Sequence, residues 1–267
     1  MGICIRRFHS ILAILLSSTL LFPQAPPPQN DPQAVALAQQ AVAALTNGVA
    51  VSDVTLKGNA RWIAGSDNET GTATFLAKGT SASRMDLNLS GGNRTEIRND
   101  STDSPQGETI TTDGTTVPWG QHNCWVNASW FFPALSILAA TSDPSVIFSF
   151  VGTENHGGGS VQHIRVYRYV PSKSGAITTL IHALSSEDIY LDSTSLIPVA
   201  FRFNSHPDDD EDTNILVEIA FHNYQQINGV RLPMRVQKLI NGGLALDVTV
   251  TSIVLNSGLT NAQFALQ

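Results

Sequence analysis

The sequence predicts an α+β fold that is mostly antiparallel β: one large curved sheet, a helix before it and an aromatic segment inserted into it. From Val51 onward, apolar and polar residues alternate over segments of roughly 6–9 residues, a period typical of strands. Gly, Asn or Asp ends most of these segments, as in hairpin turns. The alternation stops over residues 119–150, where a nearly uncharged, aromatic stretch is interrupted by Pro133 and Pro144.

The stretch "DPQAVALAQQAVAAL" ahead of the sheet predicts a helix over residues 33–46. Asp31 is a suitable N-cap, Pro32 suits the first helical position, and the pair Asn47 and Gly48 is a typical end. Four apolar residues recur at helical spacing and form a narrow stripe suited to packing on a sheet: Val35, Ala38, Val42 and Leu45.

Four segments after this helix predict an antiparallel meander, because turn residues separate each from the next. They read "VTLKGNARWIAG", "TATFLAKG", "SRMDLNLSGGNRTEIRN" and "ETITTDGTTV". In the third, Met85, Leu87 and Leu89 share one face. Across the strands one face is apolar and the other polar, which favours a single curved sheet over a two-sheet sandwich.

The inserted stretch 119–150 leaves its own structure partly open. Residues 134–141 suit a short helix, whereas "SVIFSFVG" is compatible with a helix or a strand. We expect strands to resume with "VQHIRVYRYV", "ITTLIHALSSEDIYLD" and "SLIPVAFRFNS", and to continue through "ILVEIAFHNYQQ" to "ALDVTVTSIVLN". Short connections among the last strands require antiparallel neighbours.

Residues 223–243, "NYQQINGVRLPMRVQKLINGG", predict two successive hairpins. Each Asn-Gly pair suits a type I′ turn, and the run between them alternates apolar and polar residues. Pro233 has no backbone N–H, so its strand is expected at a sheet edge or with a bulge.

Residues 1–24 have the pattern of a secretory signal peptide. Arg6 and Arg7 precede an apolar run of about a dozen residues, too short to span a membrane. Cleavage near Ala25 and retention as an anchor are both open. Cys4 precedes the run and is therefore not the modified cysteine of a lipoprotein. A Pro-rich linker, 25–32, and a single domain, 33–267, follow, and we expect a periplasmic or secreted protein.

Composition narrows the range of partners. The formal net charge is −7 and no stretch is rich in lysine or arginine, so nucleic acid and anionic membrane surfaces are poor partners. Without the leader, Cys124 is the one remaining cysteine, which excludes an intrachain disulfide. Trp119, Trp125 and Trp130 lie near it in sequence and predict a buried, inert thiol.

Two C-terminal motifs over residues 189–239 resemble a known family. In "IYLDSTSLIPVAFRF" a strand reaches a Thr/Ser-x-Leu-x-Pro turn and a second strand follows at once. In "FHNYQQINGVRLPMRVQKL" a tyrosine precedes a hairpin with a Gly-apolar-x-apolar-Pro pattern. Together they resemble the LolA/LolB-like carriers that sort lipoproteins to the outer membrane, and their uncharacterised bacterial relatives. The matching positions are Tyr190, Asp192, Leu196, Pro198, Tyr224, Gly229, Leu232 and Pro233.

The resemblance implies an incomplete β-barrel whose hydrophobic concave face is closed by one helix before the sheet and by others inserted in mid-chain. The candidates are residues 33–46 and the stretch 119–150 as an inserted lid, although that stretch is richer in aromatic residues and proline than two plain helices. The family's lipoprotein-transfer members hold the lid with an arginine on the sheet. Arg61 and Arg84 lie in the N-terminal strands, and no local motif gives that role to either.

Large apolar residues of the sheet and the insertion are the candidate ligand contacts, since burying an acyl chain contributes roughly 0.8 kcal/mol per methylene. They are Trp62, Phe75, Met85, Leu87, Trp130, Phe131, Phe132, Phe201 and Phe203. For each, the alternative is an ordinary place in the core. The predicted function is an exported, non-enzymatic carrier or binder of a hydrophobic small molecule, lipid or lipidated protein. No cofactor is expected, and membrane-associated proteins are candidate donors or acceptors.

Two other functions stay open: a structural or protein-interaction module at the cell surface, and a hydrolase. Asp208, Asp210 and Asp212 are spaced like alternate calcium ligands, but the missing glycine turn and later glutamate favour a solvated loop. The histidines lack metal-binding spacing, and Gly157 to Gly159 after His156 in "ENHGGGS" favour an ordinary linker over an active-site loop. Because no G-x-S-x-G elbow or phosphate-binding glycine loop occurs, we predict neither catalytic residues nor a metal site.

Overall fold

The computed structural model describes residues 27–79, 81–99, 104–170, 173 and 175–267, and the predicted leader, 1–24, lies outside them. In these ranges one sheet contains thirteen strands. They are β1 (Asp53–Ala64), β2 (Asp67–Lys78), β3 (Ala82–Leu89), β4 (Gly92–Asn99), β5 (Gln106–Ile110), β6 (Thr116–Pro118), β7 (Val146–His156), β8 (Gly159–Arg168), β9 (Glu187–Asp192), β10 (Pro198–Ser205), β11 (Ile215–Ile227), β12 (Val230–Ile240) and β13 (Gly243–Leu255). The helices are α1 (Pro32–Thr46), α2 (Pro133–Ser142) and α3 (Gly175–Ser185).

The strand order explains the shape of the sheet. It runs β6-β5-β4-β3-β2-β1-β13-β12-β11-β10-β9-β8-β7, and every neighbouring pair is antiparallel. The chain thus starts in the middle, runs out to the β6 edge, crosses to the β7 edge and returns. Twist accumulates over so many strands and curls the sheet. Because β6 and β7 do not pair within the described ranges, the result is an incomplete barrel, which confirms the predicted α+β class.

The predicted Asn-Gly hairpins are confirmed. Asn228 and Gly229 have φ of 52° and 87°, and Asn241 and Gly242 have 49° and 80°, the left-handed pair that a type I′ turn requires. Strand β12 lies inside the sheet, but it pairs with β13 only from Arg235 onward and has a register irregularity after Lys238. The part that holds Pro233 therefore has one neighbouring strand, β11, and the missing N–H disrupts no ladder on the other side.

Helix α1 begins and ends as predicted. The Asp31 carboxylate accepts hydrogen bonds from the N–H groups of Gln33 and Ala34, at 2.8 and 3.2 Å, and Asn47 ends the helix with a φ of 49°. The buried stripe is displaced slightly from the predicted one. Its members are Ala34, Ala38, Ala41 and Leu45, whereas Val35 and Val42 are only partly buried.

The connection between the two edge strands contains a short 3₁₀ helix, Gln121–Cys124, and then α2, which confirms the predicted helix over 134–141. The stretch "SVIFSFVG", for which the sequence allowed a helix or a strand, is a strand, because β7 begins at Val146. The segment predicted to be the lid, 119–150, therefore ends in strand β7, and its part before that strand, residues 119–145, is called the lid below. Cys124 is buried, at 1% exposure, as predicted.

One element was predicted wrongly. The run "ITTLIHALS" was expected to be a strand, whereas it forms α3. Its β-branched residues favour a strand locally, but Ile181 and Leu184 lie three apart on one helical face and are buried against Trp125 of the lid. Tertiary packing thus overrides the local preference.

The core lies on the face of the sheet that α1 and α2 cover, here called the inner face. Alternation along each strand places polar side chains on the opposite, outer face. None of the helices in the described part of the chain has the length and apolar character needed to cross a membrane.

Candidate functional site

The strand register places the predicted ligand residues of the sheet on the inner face. Phe75 lies opposite Met85 in the β2–β3 pair, and Phe201 and Phe203 alternate along β10 towards the same face. Trp62 and Leu87 lie on the same face of β1 and β3. All of these except Trp62 are buried, and Trp62 packs at the edge of the same cluster.

The lid fills the centre of the inner face with its own aromatic side chains. The ring centroid of Phe75 lies 4.8 Å from that of Phe131 and 6.0 Å from that of Trp130, and those two lid rings meet edge to face at 5.5 Å. Phe132 and Phe201 are fully buried in the same cluster. Four predicted residues therefore form a closed core between the lid and the sheet: Phe75, Phe131, Phe132 and Phe201.

A cavity of about 460 Å³ lies beside this core and is called here the lid-edge cavity. Its apolar wall includes Trp119, Val126, Trp130, Phe203 and Ile240. It thus brings together two predicted residues, one from the lid and one from the sheet.

The lid-edge cavity also has charged side chains in its wall. Glu96, Arg98 and Lys238 line it. The Lys238 ammonium lies 5.4 Å from the centroid of the Trp130 ring. Within the described ranges no carboxylate forms an ion pair with Lys238. An amphiphilic molecule would find both apolar and charged groups in this wall.

A second cavity, of about 380 Å³, is called the β4 cavity and contains three predicted residues in its wall: Trp62, Met85 and Leu87. The guanidinium of Arg94 stacks over Trp62 at 4.2 Å and forms a bidentate ion pair with Glu69, at 2.8 and 3.0 Å. Glu96 and Thr109 line this cavity as well as the lid-edge cavity. The two cavities are therefore neighbours on the inner face.

A buried arginine on the sheet binds the lid. Arg98 of β4 is 4% exposed, and its Nη2 donates hydrogen bonds to the carbonyl oxygens of Cys124 and Val126, at 2.8 and 2.7 Å. Neither arginine considered from the sequence does this. Arg61 bonds to Asn68 at the surface, and Arg84 pairs with Asp86 on the outer face.

A buried carboxyl from a strand near the β7 edge of the sheet lies beside the same part of the lid. Glu187 of β9 is 5% exposed and lines the same small pocket as Trp125 and Asn127 of the lid. Burial, above all, and the neighbouring charge of Asp188 raise its pKa to about 8. Its Oε1 atom has no hydrogen-bond partner in the described part of the chain.

The alternative sites lie elsewhere. Asp210 accepts hydrogen bonds from Asp212 and Thr213 and so closes its own loop, and no group of three His, Cys, Asp or Glu suited to a metal occurs among the described residues. His156 lies on the outer face, where its ring stacks on Tyr190 at 4.1 Å. Asp208 of the same loop lines the lid-edge cavity, whereas Asp210, Asp212 and His156 are not in its wall.

No protein-family model matches the sequence, and none of the curated proteins matches it. Several solved structures do match the fold of the chain. A domain assigned to the outer-membrane lipoprotein-sorting proteins, from Vibrio parahaemolyticus, is 11% identical with a TM-score of 0.54, covering 87% of this chain and 96% of that one. A DUF1329 family protein from Desulfovibrio piger is 12% identical with a TM-score of 0.54, covering 87% and 97%.

A LolA superfamily protein from Nitrosomonas europaea is 10% identical with a TM-score of 0.51, covering 87% of this chain and 97% of that one. The chain therefore has the fold of the LolA-like, lipoprotein-sorting proteins, as the two C-terminal motifs predicted. The likeness extends over most of the chain, well beyond residues 189–239 that contain those motifs.

Proposed function

We propose that the protein is an exported, non-enzymatic carrier or binder of a hydrophobic molecule, such as a lipid or an acyl chain, held on the inner face beneath the lid. The observation that carries the proposal is the aromatic contact of the lid with the sheet. Trp130 and Phe131 occupy the centre of an apolar face, directly beside two cavities whose volumes are in the range of ligand sites.

The free energies of burial support replacement of the lid's aromatic side chains by a ligand on the inner face. Exposing the Trp130 and Phe131 side chains costs roughly 3–6 kcal/mol at the usual value for buried aromatic residues. An acyl chain that buries about 14 methylenes gains roughly 11 kcal/mol. A long acyl chain can therefore replace the lid's side chains on the inner face, whereas a small apolar molecule cannot.

The structural neighbours support the cellular setting that we propose. Two are described as LolA-superfamily or lipoprotein-sorting proteins. With the predicted leader, they support a periplasmic or secreted location and membrane-associated proteins as donors or acceptors of the ligand.

A specific observation favours the second candidate, a structural or interaction module without a ligand. Phe75, Phe131, Phe132 and Phe201 leave the centre of the inner face filled. If the lid never leaves this position, the centre of the inner face stays closed to a ligand.

Binding of a fluorescent long-chain fatty acid, followed by emission and by native mass spectrometry of the purified chain, separates the two candidates. The carrier proposal expects saturable binding that an unlabelled lipid displaces, and lipid that copurifies. Absence of both the copurified lipid and the displaceable probe would reject the carrier.

A matched pair of variants locates the site. Thr109 lines both cavities, and Thr109→Phe fills them, so we expect probe affinity to fall by about tenfold or more, the effect of roughly 1–3 kcal/mol of overpacking. Thr72 is exposed on the outer face of β2, and Thr72→Phe serves as the control that leaves affinity unchanged. Equal affinities of the two variants would exclude these cavities as the site, provided circular dichroism shows both folded.

A further inference from the structure

The lid-edge cavity contains two charged side chains of opposite sign that have no ion-pair partner. Glu96 of β4 and Lys238 of β12 both line it, and both are half-buried. Among the residues that the structure describes, no cation pairs with Glu96 and no carboxylate pairs with Lys238. The two side chains are therefore also too far apart to pair with each other.

The strand order places these two charges on different walls of the cavity. Strands β3, β2, β1 and β13 separate β4 from β12. Glu96 lies opposite Met85, which is buried on the inner face. Lys238 lies opposite Leu246, which is buried on the same face. Because the sheet curls, two distant strands meet at one cavity, with a carboxylate on one wall and an ammonium on the other.

The remaining charged side chains of the cavity are already bonded or hydrated. Arg98 donates hydrogen bonds to two carbonyl oxygens of the lid, at 2.8 and 2.7 Å. Asp208 is exposed in the loop after β10, where water and salt screen its charge. Glu96 and Lys238 are therefore the two charges with which a bound molecule can pair.

A ligand with one kind of charge would be attracted by one wall and repelled by the other. An anion that pairs with Lys238 adds a like charge to the cavity that holds Glu96, and a cation that pairs with Glu96 does the same towards Lys238. Both effects are stronger in a cavity than in open water, because the local dielectric is lower. A head that carries both charges pairs with both walls, so the cavity favours a zwitterion over either simple ion.

The tryptophans of the cavity indicate which kind of cation suits the wall that holds Glu96. A quaternary ammonium is recognised by open aromatic faces. Each tryptophan in this wall already has a cation of the chain over its ring. Arg98 lies 5.5 Å from the centroid of Trp119, and Lys238 lies 5.4 Å from that of Trp130. The Glu96 carboxylate instead suits a primary ammonium, whose N–H groups donate hydrogen bonds to it.

We propose that the ligand of the lid-edge cavity has a zwitterionic head, with a phosphate or carboxylate bound by Lys238 and a primary ammonium bound by Glu96. Its acyl chain lies against the apolar wall, which includes Val126 and Phe203. This inference rests on the proposed function, because it takes the ligand to be a long-chain amphiphile. It adds the chemistry of the polar end, which the apolar wall does not determine.

Displacement of the fluorescent fatty acid by amphiphiles of equal chain length, below their critical micelle concentrations, tests the head. Palmitoyl lysophosphatidylethanolamine and Nε-palmitoyl-lysine carry a primary ammonium with a phosphate and with a carboxylate. We expect them to bind about tenfold or more tightly than palmitate or hexadecylammonium, the effect of one charge-assisted hydrogen bond. The tighter of the two zwitterions identifies the anionic group. Palmitoyl lysophosphatidylcholine, with a quaternary ammonium, should bind less tightly than the ethanolamine compound.

Two uncharged substitutions assign each charge to its wall. Lys238→Gln should weaken binding of both zwitterions by about tenfold and leave hexadecylammonium bound as well or better. Glu96→Gln should weaken the zwitterions similarly and leave palmitate bound as well or better. A merely structural role would weaken every amphiphile alike. Lys57 is exposed on the outer face of β1, and Lys57→Gln is the matched control that leaves every affinity unchanged.

The outcome for the head is separable from the outcome for the carrier. Equal affinities for the zwitterions and the simple ions, or variants that weaken all ligands alike, overturn the zwitterionic head and leave the carrier proposal unaffected. Equal affinities for the choline and ethanolamine heads overturn the hydrogen-bonded primary ammonium. A chain that binds none of the amphiphiles and copurifies with no lipid rejects the carrier, and the head with it.

Discussion

Arg235 and Arg98, one on each face of the sheet, use their charge in different ways. On the outer face, charged side chains pair across strands: Arg235 with Asp247, and Arg165 with Asp188, each in a bidentate pair. On the inner face Arg94 also pairs across strands with Glu69, but the buried Arg98 donates hydrogen bonds to the backbone of a separate segment, the lid. These outer pairs are partly hydrated and of small net value, whereas Arg98 is 4% exposed and holds one element against another.

The comparison indicates which face tolerates substitution. Each outer pair stays within the sheet, so its loss leaves two solvated groups. Loss of an inner group leaves unpaired backbone groups or an unpaired charge in a closed interior, and the lid must move to relieve it. Folding and function are therefore expected to respond mainly to the inner face.

The largest expected effect comes from the aromatic centre of that face. Phe75→Ala removes the ring on which Phe131 and Trp130 pack, and should lower the free energy of unfolding by about 3–5 kcal/mol in urea denaturation. The comparison on the outer face is Val254→Ala, where the side chain is 48% exposed, with an expected loss within about 0.5 kcal/mol. Similar losses at both positions would remove the distinction between the faces.

A smaller effect is expected when one arginine is replaced on each face. Arg98→Met leaves two buried carbonyl oxygens without this donor, so unfolding should cost about 2–4 kcal/mol less, with a red shift in tryptophan emission as the lid hydrates. Arg235→Met breaks a half-exposed pair with Asp247 and should cost about 1 kcal/mol or less, without an emission shift. An unshifted emission spectrum in Arg98→Met would show that the arginine does not hold the lid.

The smallest expected effect is on how the free energy of unfolding changes with pH, and its sign differs between a carboxyl of the outer face and one of the inner face. Hydrogen bonds from Arg235, above all, keep the pKa of Asp247 below 3.8, so its contribution is present above that pH and is lost as the pH falls through the lowered pKa. Glu187, with a raised pKa, disfavours the closed fold as the pH rises from 4.5 towards 8.

Urea midpoints measured between pH 3 and pH 8 therefore separate the two groups. Asp247→Asn should flatten the acid limb of the stability profile, and Glu187→Gln should flatten the limb near neutrality. The assignment would be contradicted if Asp247→Asn flattened the limb near neutrality and Glu187→Gln the acid limb, or if neither variant changed the profile.

Much of the fold was readable from local chemistry. The Asn-Gly turns fixed the C-terminal hairpins, and the Asp31 cap with Pro32 fixed the start of α1. Helix α3 was not readable, because its buried face depends on Trp125, a residue far away in sequence. The place of the lid also depends on a long-range fact, the pairing of β1 with β13, which makes β6 and β7 the edges.

The apolar part of the candidate site was predictable and the charged part was not. Alternation along β3 identified Met85 and Leu87. The side chains of β4 that share their face depend on the β3–β4 register, which places Glu96 opposite Met85 and Arg94 opposite Leu87. The same register directs Arg98 inward. The tight turn before Gly92 was a usable signal for that register. Glu187 precedes Ile189 and Leu191 on one face of β9. Because residues 177–192 read as one strand in the sequence, the start of β9 at Glu187, and hence the inward direction of this side chain, is not visible there.

The lid is a segment fixed at both ends, since it starts where β6 ends and stops where β7 starts. Such a segment can bow outward, but it cannot swing aside as a flap with one hinge can. An incoming chain would therefore enter sideways, between the raised middle of the segment and the rim of the sheet. Shortening residues 119–145 would restrict the thickness of what can pass, without altering the surface that receives it.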